Sequence, residues 1–138
     1  MHEEEFGLHQ TLDCYNCNEK LSDDFDAIFN FINKLPERIG MQRISPPMVV
    51  RYAGGSPKDP GGITGFVLIA ESHISIHTFP KFGFITMDVY SCKPFNTTLV
   101  KKLVSDKFST SDIEENVIKR GLNFRKLAMV KNMPQIDR

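Results

Sequence analysis

The residues of this chain best suited to chemistry lie together in Glu71-Ser72-His73-Ile74-Ser75-Ile76-His77-Thr78, directly after the apolar run from Ile63 to Ala70. Hydroxyls and imidazoles in the most apolar region of a chain carry a desolvation cost, so they are either hydrogen-bonded strand-end residues or a reactive site. Polarity that conflicts with its surroundings points to function. A serine hydrolase is the first chemistry to test. It fails on context, because Ser72 lacks a Gly-x-Ser-x-Gly elbow and no helix start stands behind it. Metal binding is the second. Cys14 and Cys17 offer two thiols, but a structural zinc site needs two further ligands at suitable spacing, and Cys92 is the one remaining cysteine. No metal is expected. A redox role for the pair is weakened by its setting, since it runs from a strand into a polar turn without a helix N-terminus at hand.

The surrounding elements must position these groups. Phe6 to Asp13 alternates as a first strand, and Tyr15 to Lys20 is a polar turn. Ser22, with Asp23 and Asp24 behind it, predicts a capped helix start; Phe25, Ile28, Phe29 and Ile32 then recur at helical spacing until Pro36 and Gly40. Met48 to Ala53 is a second strand, followed by a loop dense in Gly and Pro up to Gly62. Ile63 to Ala70 is apolar on both faces, which predicts cover on two sides, one of them open to a partner chain. His73 to Phe79 and Phe84 to Cys92 form a hairpin around Pro80-Lys81-Phe82-Gly83. Opposite residues then sum to roughly 162 to 164, so Ser72 faces residues 90 to 92 and Cys92 is its neighbour. His77 is five extended residues from Ser72, about 16 Å, and on the other face of the strand. It reaches Ser72 if the strand breaks or if another chain supplies it. Asn96 opens a second helix carrying Leu99, Val100, Leu103 and Val104; Asn116 to Lys119 is a last strand, and the tail after Arg120 is weakly patterned. The expected fold is α+β, an antiparallel sheet with two helices on one face.

Length and charge bound the function. The 138 residues make one domain, and 17 basic against 17 acidic residues give a formal net charge of 0, without the basic excess of a nucleic-acid surface. A near-neutral protein also opposes self-association weakly. The odd cysteine count argues against a secreted disulfide scaffold, and the acidic start Met1-His-Glu-Glu-Glu5 against a signal peptide. No apolar run has membrane-spanning length. A soluble cytoplasmic protein is expected, with neither nucleic acid nor membrane as partner.

The signature Gly62-Ile-Thr-Gly-Phe-Val-Leu-Ile-Ala-Glu-Ser-His-Ile-Ser-Ile-His-Thr78, then Phe79-Pro80 and Asp88-Val-Tyr-Ser-Cys92, resembles the bacterial and archaeal S-adenosylmethionine decarboxylases. The similarity runs from Gly7 to about Arg120 and includes Asp13, Tyr15 and Cys17. It implies a small proenzyme that breaks its own Glu71-Ser72 bond into a β chain, residues 1–71, and an α chain, residues 72–138, headed by a pyruvoyl group made from Ser72. Ser72 would then hold the substrate amine as a Schiff base; His77 would be the processing residue, Cys92 the proton donor, and Thr64 a hydroxyl that steadies cleavage. A free thiol, with a pKa of about 8.5, is protonated at neutral pH as such a donor requires. The implied product is the aminopropyl donor for spermidine synthesis. The implied assembly is a homodimer, two sheets face to face with active sites shared between them.

The departures concern substrate. The family's Trp-Pro-Glu is Phe79-Pro80-Lys81 here, so a cation stands where a carboxylate contacts the substrate. The family's adenine-stacking aromatic falls on Lys58. Loss of such a ring forfeits roughly 1 to 3 kcal/mol by analogy with base stacking in nucleic-acid proteins. Two alternatives follow: an arginine or ornithine decarboxylase with the same pyruvoyl machinery, and a processing-dead subunit that activates a partner enzyme.

Overall fold

The computed structural model describes residues 5–131. Seven strands, β1 (Gly7–Tyr15), β2 (Gln42–Arg43), β3 (Met48–Tyr52), β4 (Gly62–Ala70), β5 (Ser72–Phe79), β6 (Phe84–Ser91) and β7 (Asp112–Arg120), form one antiparallel sheet. Its order is β2-β4-β5-β6-β1-β7, and β3 also pairs with β4. Period-two alternation gives the sheet two unlike faces. Leu12 and Cys14, Ile63, Val67 and Ile69, Ile74 and Ile76, and Ile85, Met87 and Val89 are buried on one. The other carries His9, Thr64, Phe66, His73, Ser75, His77, Asp88 and Tyr90.

Helices α2 (Phe25–Arg38) and α3 (Thr97–Phe108) close the core face. Ile28, Ile32 and Leu35 from α2, and Val100, Val104 and Phe108 from α3, are fully buried, and Phe31 meets Phe108 edge to face with ring centres 5.4 Å apart. Gly65 lets α2 lie close, since a Cβ there would stand 2.8 Å from Ile32 Cδ1. This is the expected α+β layer of sheet and helices.

Several local expectations change. Asp24, not Ser22, caps α2 by accepting from the Ala27 amide. Ser22 instead ends a one-turn helix α1 (Glu19–Ser22) that begins in the last two residues of the expected turn, its hydroxyl donating to the Glu19 carbonyl. Pro36 sits in the last turn of α2 without ending it. The last strand is nine residues long, because β1 pairs with it from Gly7 to Tyr15. The weakly patterned tail contains α4 (Phe124–Val130), held by an edge-to-face contact of Phe124 with Phe6, ring centres 4.8 Å apart. β4 is covered on one side: Phe66 and Leu68 on its other face are 41% and 43% exposed.

Gly62 fixes the start of β4. A Cβ there would lie 1.8 Å from the Thr78 carbonyl oxygen, while the next residue, Ile63, donates its amide to Thr78 Oγ1. Gly62→Ala must push β4 off β5, so we expect a loss of about 3 kcal/mol or more in denaturant unfolding. An unchanged midpoint would show that the strands part without cost.

Candidate active site

Between the paired residues Ile69 and Ser72 the chain turns through Ala70, the last residue of β4, and Glu71, which is exposed at the tip. Ser72 follows with φ 142°, a backbone conformation disfavoured for any residue bearing a Cβ. It pairs with Ile69 on one side and Ser91 on the other, within the window the hairpin arithmetic sets. Ser91 is fully buried and accepts from the Lys93 amide through its hydroxyl, which orients the chain at Cys92, itself 6% exposed. Ser72 and Cys92 therefore share one end of the sheet.

His77 does not join them. It lies opposite Thr64 on β4, its Nδ1 3.4 Å from Thr64 Oγ1, and opposite Thr86 on β6. The strand is unbroken from Ser72 to Phe79, so His77 stays about 16 Å along it and Phe79 about 23 Å. Lys81 lies beyond, in the 3-10 turn Pro80–Phe82, and lines a cavity of about 390 Å³ with Asp23, Arg51, Tyr52 and Gly62. Arg51 is paired there with Asp23 at 2.5 Å. The sequence-predicted site residues thus fall into two groups at opposite ends of one hairpin: Glu71, Ser72 and Cys92, and Thr64, His77, Phe79 and Lys81.

A third group is not visible in the sequence. Asp88, on the open face of β6, receives His9 Nε2 at 2.5 Å, His73 Nε2 at 3.2 Å and the Ser75 hydroxyl. Burial pushes its carboxyl upward, but the hydrogen bonds from Ser75, His9 and His73 outweigh that and hold it below the ordinary carboxylate value. Folding thus favours the anion; this contribution is present above the unfolded pKa and is lost as pH falls through the lowered one. Arg120 Nη1 is 2.8 Å from His9 Nδ1, and its guanidinium stands 4.8 Å over the Tyr90 ring. His9 and Arg120 come from strands far from the signature, so the registers of β1 with β6 and β7 were the information required.

Cys14 and Cys17 are buried and in contact, the Cys14 thiol donating to Cys17; that bond raises Cys14, with burial adding to it, and lowers Cys17. Among the described residues, the one cluster of three potential metal ligands is His9, His73 and Asp88, which includes neither cysteine. Nor is any helix among them long and apolar enough to cross a membrane.

Comparison with known proteins matches this architecture. The S-adenosylmethionine decarboxylase family model covers residues 8–121, which is the sheet from its first strand to its last. An S-adenosylmethionine decarboxylase proenzyme of Clostridium kluyveri is 30% identical over 128 residues, 92% of this chain and 95% of its own length. One from Archaeoglobus fulgidus is 28% identical over 118 residues, 83% and 97% of the two chains. An arginine decarboxylase proenzyme of Caldivirga maquilingensis is 36% identical over 86 residues, 62% of this chain and 61% of its own. The crystal structure of the adenosylmethionine decarboxylase of Aquifex aeolicus superposes with a TM-score of 0.71 at 28% identity, over 86% of this chain and 92% of that one. The sheet that carries Ser72, His77 and Cys92 is thus the part that matches, and the chain belongs to the S-adenosylmethionine decarboxylase family.

Proposed function

We propose that the chain is a self-cleaving, pyruvoyl-dependent decarboxylase of S-adenosylmethionine, supplying the aminopropyl donor for spermidine synthesis. The placement of Ser72 carries this proposal: a nucleophilic residue at a hairpin tip, in a disfavoured backbone conformation, beside the strand that leads into Cys92. The residues fit such a group. Glu71 is exposed, so the carboxylate made on cleavage enters water, while Ser72 is half-buried between β4 and β6.

In processing, Ser72 Oγ attacks the Glu71 carbonyl carbon and the peptide C–N bond breaks, leaving an ester and a free amine at residue 72. Removal of the residue 72 Cα proton then breaks the Cβ–Oγ bond, which frees Glu71 as a carboxylate. Water replaces the nitrogen, ammonia leaves, and a ketone remains. The pyruvoyl group formed from Ser72 would supply a carbonyl for the substrate amine and an electron sink for the loss of carbon dioxide. Cys92 then supplies a proton from its buried thiol to the substrate carbon.

His77 is the base that removes the Cα proton, and Thr64, 3.4 Å from it, steadies its ring. Both lie too far from their own Ser72, so they serve the Ser72 of a second copy. The open sheet face suits such a homodimer, since Met48, Val50, Phe66 and Leu68 are exposed there, 41% or more each. Phe79 and Lys81 travel with His77 and border the substrate's far end. The reduced thiols of Cys14, Cys17 and Cys92 suit a cytoplasmic setting. The single domain, residues 1–138, becomes chains 1–71 and 72–138.

The similarity to the arginine decarboxylase proenzyme relative supports a second possibility, an amino-acid decarboxylase on the same fold. Carbon dioxide release measured side by side from S-adenosylmethionine, arginine and ornithine separates them. We expect S-adenosylmethionine to be preferred by at least tenfold in kcat/KM, a difference of about 1.4 kcal/mol. Preference for either amino acid overturns the substrate assignment, and an uncleaved, inactive chain favours the processing-dead subunit.

A further inference from the structure

We propose that Asp88, with His9 and Arg120 behind it, forms a positioning network that holds His73, and through it Ser72, in the conformation that self-cleavage uses. This rests on cleavage at Glu71-Ser72. The network crosses four adjacent strands, β5, β6, β1 and β7. Its order is fixed by donor chemistry. A guanidinium has only donors, so Arg120 Nη1 donates to His9 Nδ1 across 2.8 Å and that nitrogen holds a lone pair. The His9 proton therefore sits on Nε2 and is given to Asp88. The same carboxylate also takes the Nε2 proton of His73 and the hydroxyl proton of Ser75. Three donors converge on one anion, and two of them are the first and third residues after Ser72.

The consequence is local rigidity where it matters. A residue with a Cβ stays at a φ such as 142° only where its surroundings over-determine it. On one side Ser72 is fixed by the two-residue hairpin and its pairing with Ile69. On the other, His73 is pinned by Asp88 and by a stacked Phe66 ring, centres 5.2 Å apart and planes 25° from parallel. His9 stands edge-on to His73 at 6.0 Å, and the Tyr90 ring lies 5.8 Å from it. The same ligand atoms, all within 4.8 Å of one another, could be taken for a metal site. Arg120 argues against that, because it leaves the lone pair of His9 on Nδ1 and a proton on the nitrogen that faces Asp88.

The test measures first-order appearance of the two fragments from full-length precursor freshly made by cell-free translation. Asp88→Asn and His9→Phe are expected to slow it by about tenfold or more, as misplacement of reacting atoms does. His9→Gln keeps an amide N–H near the place of Nε2 and is expected to cleave within about threefold of wild type, since the donor survives. A role in packing alone predicts the reverse, with the ring-preserving His9→Phe the milder change. Wild-type rates in both Asp88→Asn and His9→Phe, or a His9→Gln as slow as His9→Phe, would overturn the network. Should Asp88→Asn not fold, the His9 pair decides by itself. A wild-type chain that never cleaves instead defeats self-cleavage, and this proposal with it.

Discussion

Purified protein should separate under denaturing conditions into two fragments, residues 1–71 and 72–138, the second blocked at its N-terminus by a pyruvoyl group. Under native conditions the fragments should co-elute. Residues 1–71 supply β1 to β4, and residues 72–138 supply β5 to β7. The pairings of β4 with β5, β1 with β6 and β1 with β7 all cross that division, so a cut at the hairpin tip leaves three strand interfaces intact. Ser72→Ala removes the attacking oxygen and should leave one intact mass and no activity. His77→Ala should also remain uncleaved. Mixed in one dimer, the two variants test whether the site is shared. The His77→Ala copy contributes Ser72 and the Ser72→Ala copy contributes His77, so the former is cleaved. Cleavage of Ser72→Ala would refute the nucleophile. A mixture that stays intact would place His77 and Ser72 of one chain together, against the unbroken β5.

Cys92→Ala should split the two chemistries. Self-cleavage needs Ser72 Oγ and a base, and the fragments should appear at a rate near wild type. Turnover needs a proton delivered to the substrate carbon, and loss of a positioned acid lowers kcat by about 10² to 10⁴. KM should move less, because Cys92 acts after the amine is held. The residue is 6% exposed, so alanine leaves a small void costing about 1 kcal/mol in stability. A cleaved Cys92→Ala enzyme with wild-type kcat would remove the thiol from the mechanism. Loss of cleavage in that variant would instead place Cys92 in processing.

How far the sequence reaches can be read residue by residue. The position of Ser72 opposite Ser91 follows from hairpin arithmetic, because an antiparallel pair around a short connection has few registers. Asn96 as the cap of α3 follows from its side chain, which accepts from the Leu99 amide three residues on. Asp24 as the cap of α2 does not, since Ser22, Asp23 and Asp24 are all capable and the choice depends on α1 using Ser22 first. The helix α4 has no side-chain cap at Asn123, and what fixes it is the distant Phe6.

The site divides along the same line. Sequence alone singled out Ser72, His77 and Cys92 as candidates, through their residue types and the resemblance of their motif to the family, and the local spacing along paired strands made Ser72 and Cys92 neighbours. The tertiary structure decided the rest. It separated His77 from Ser72 within one chain by keeping β5 straight, and it left Phe66 and Leu68 on an uncovered face. It also brought His9 and Arg120 to Asp88 across β1 and β7. Contacts between strands distant in sequence depend on sheet order, and many sequence patterns are compatible with more than one order. The pairing of β1 between β6 and β7 selects one, and with it the network beside Ser72.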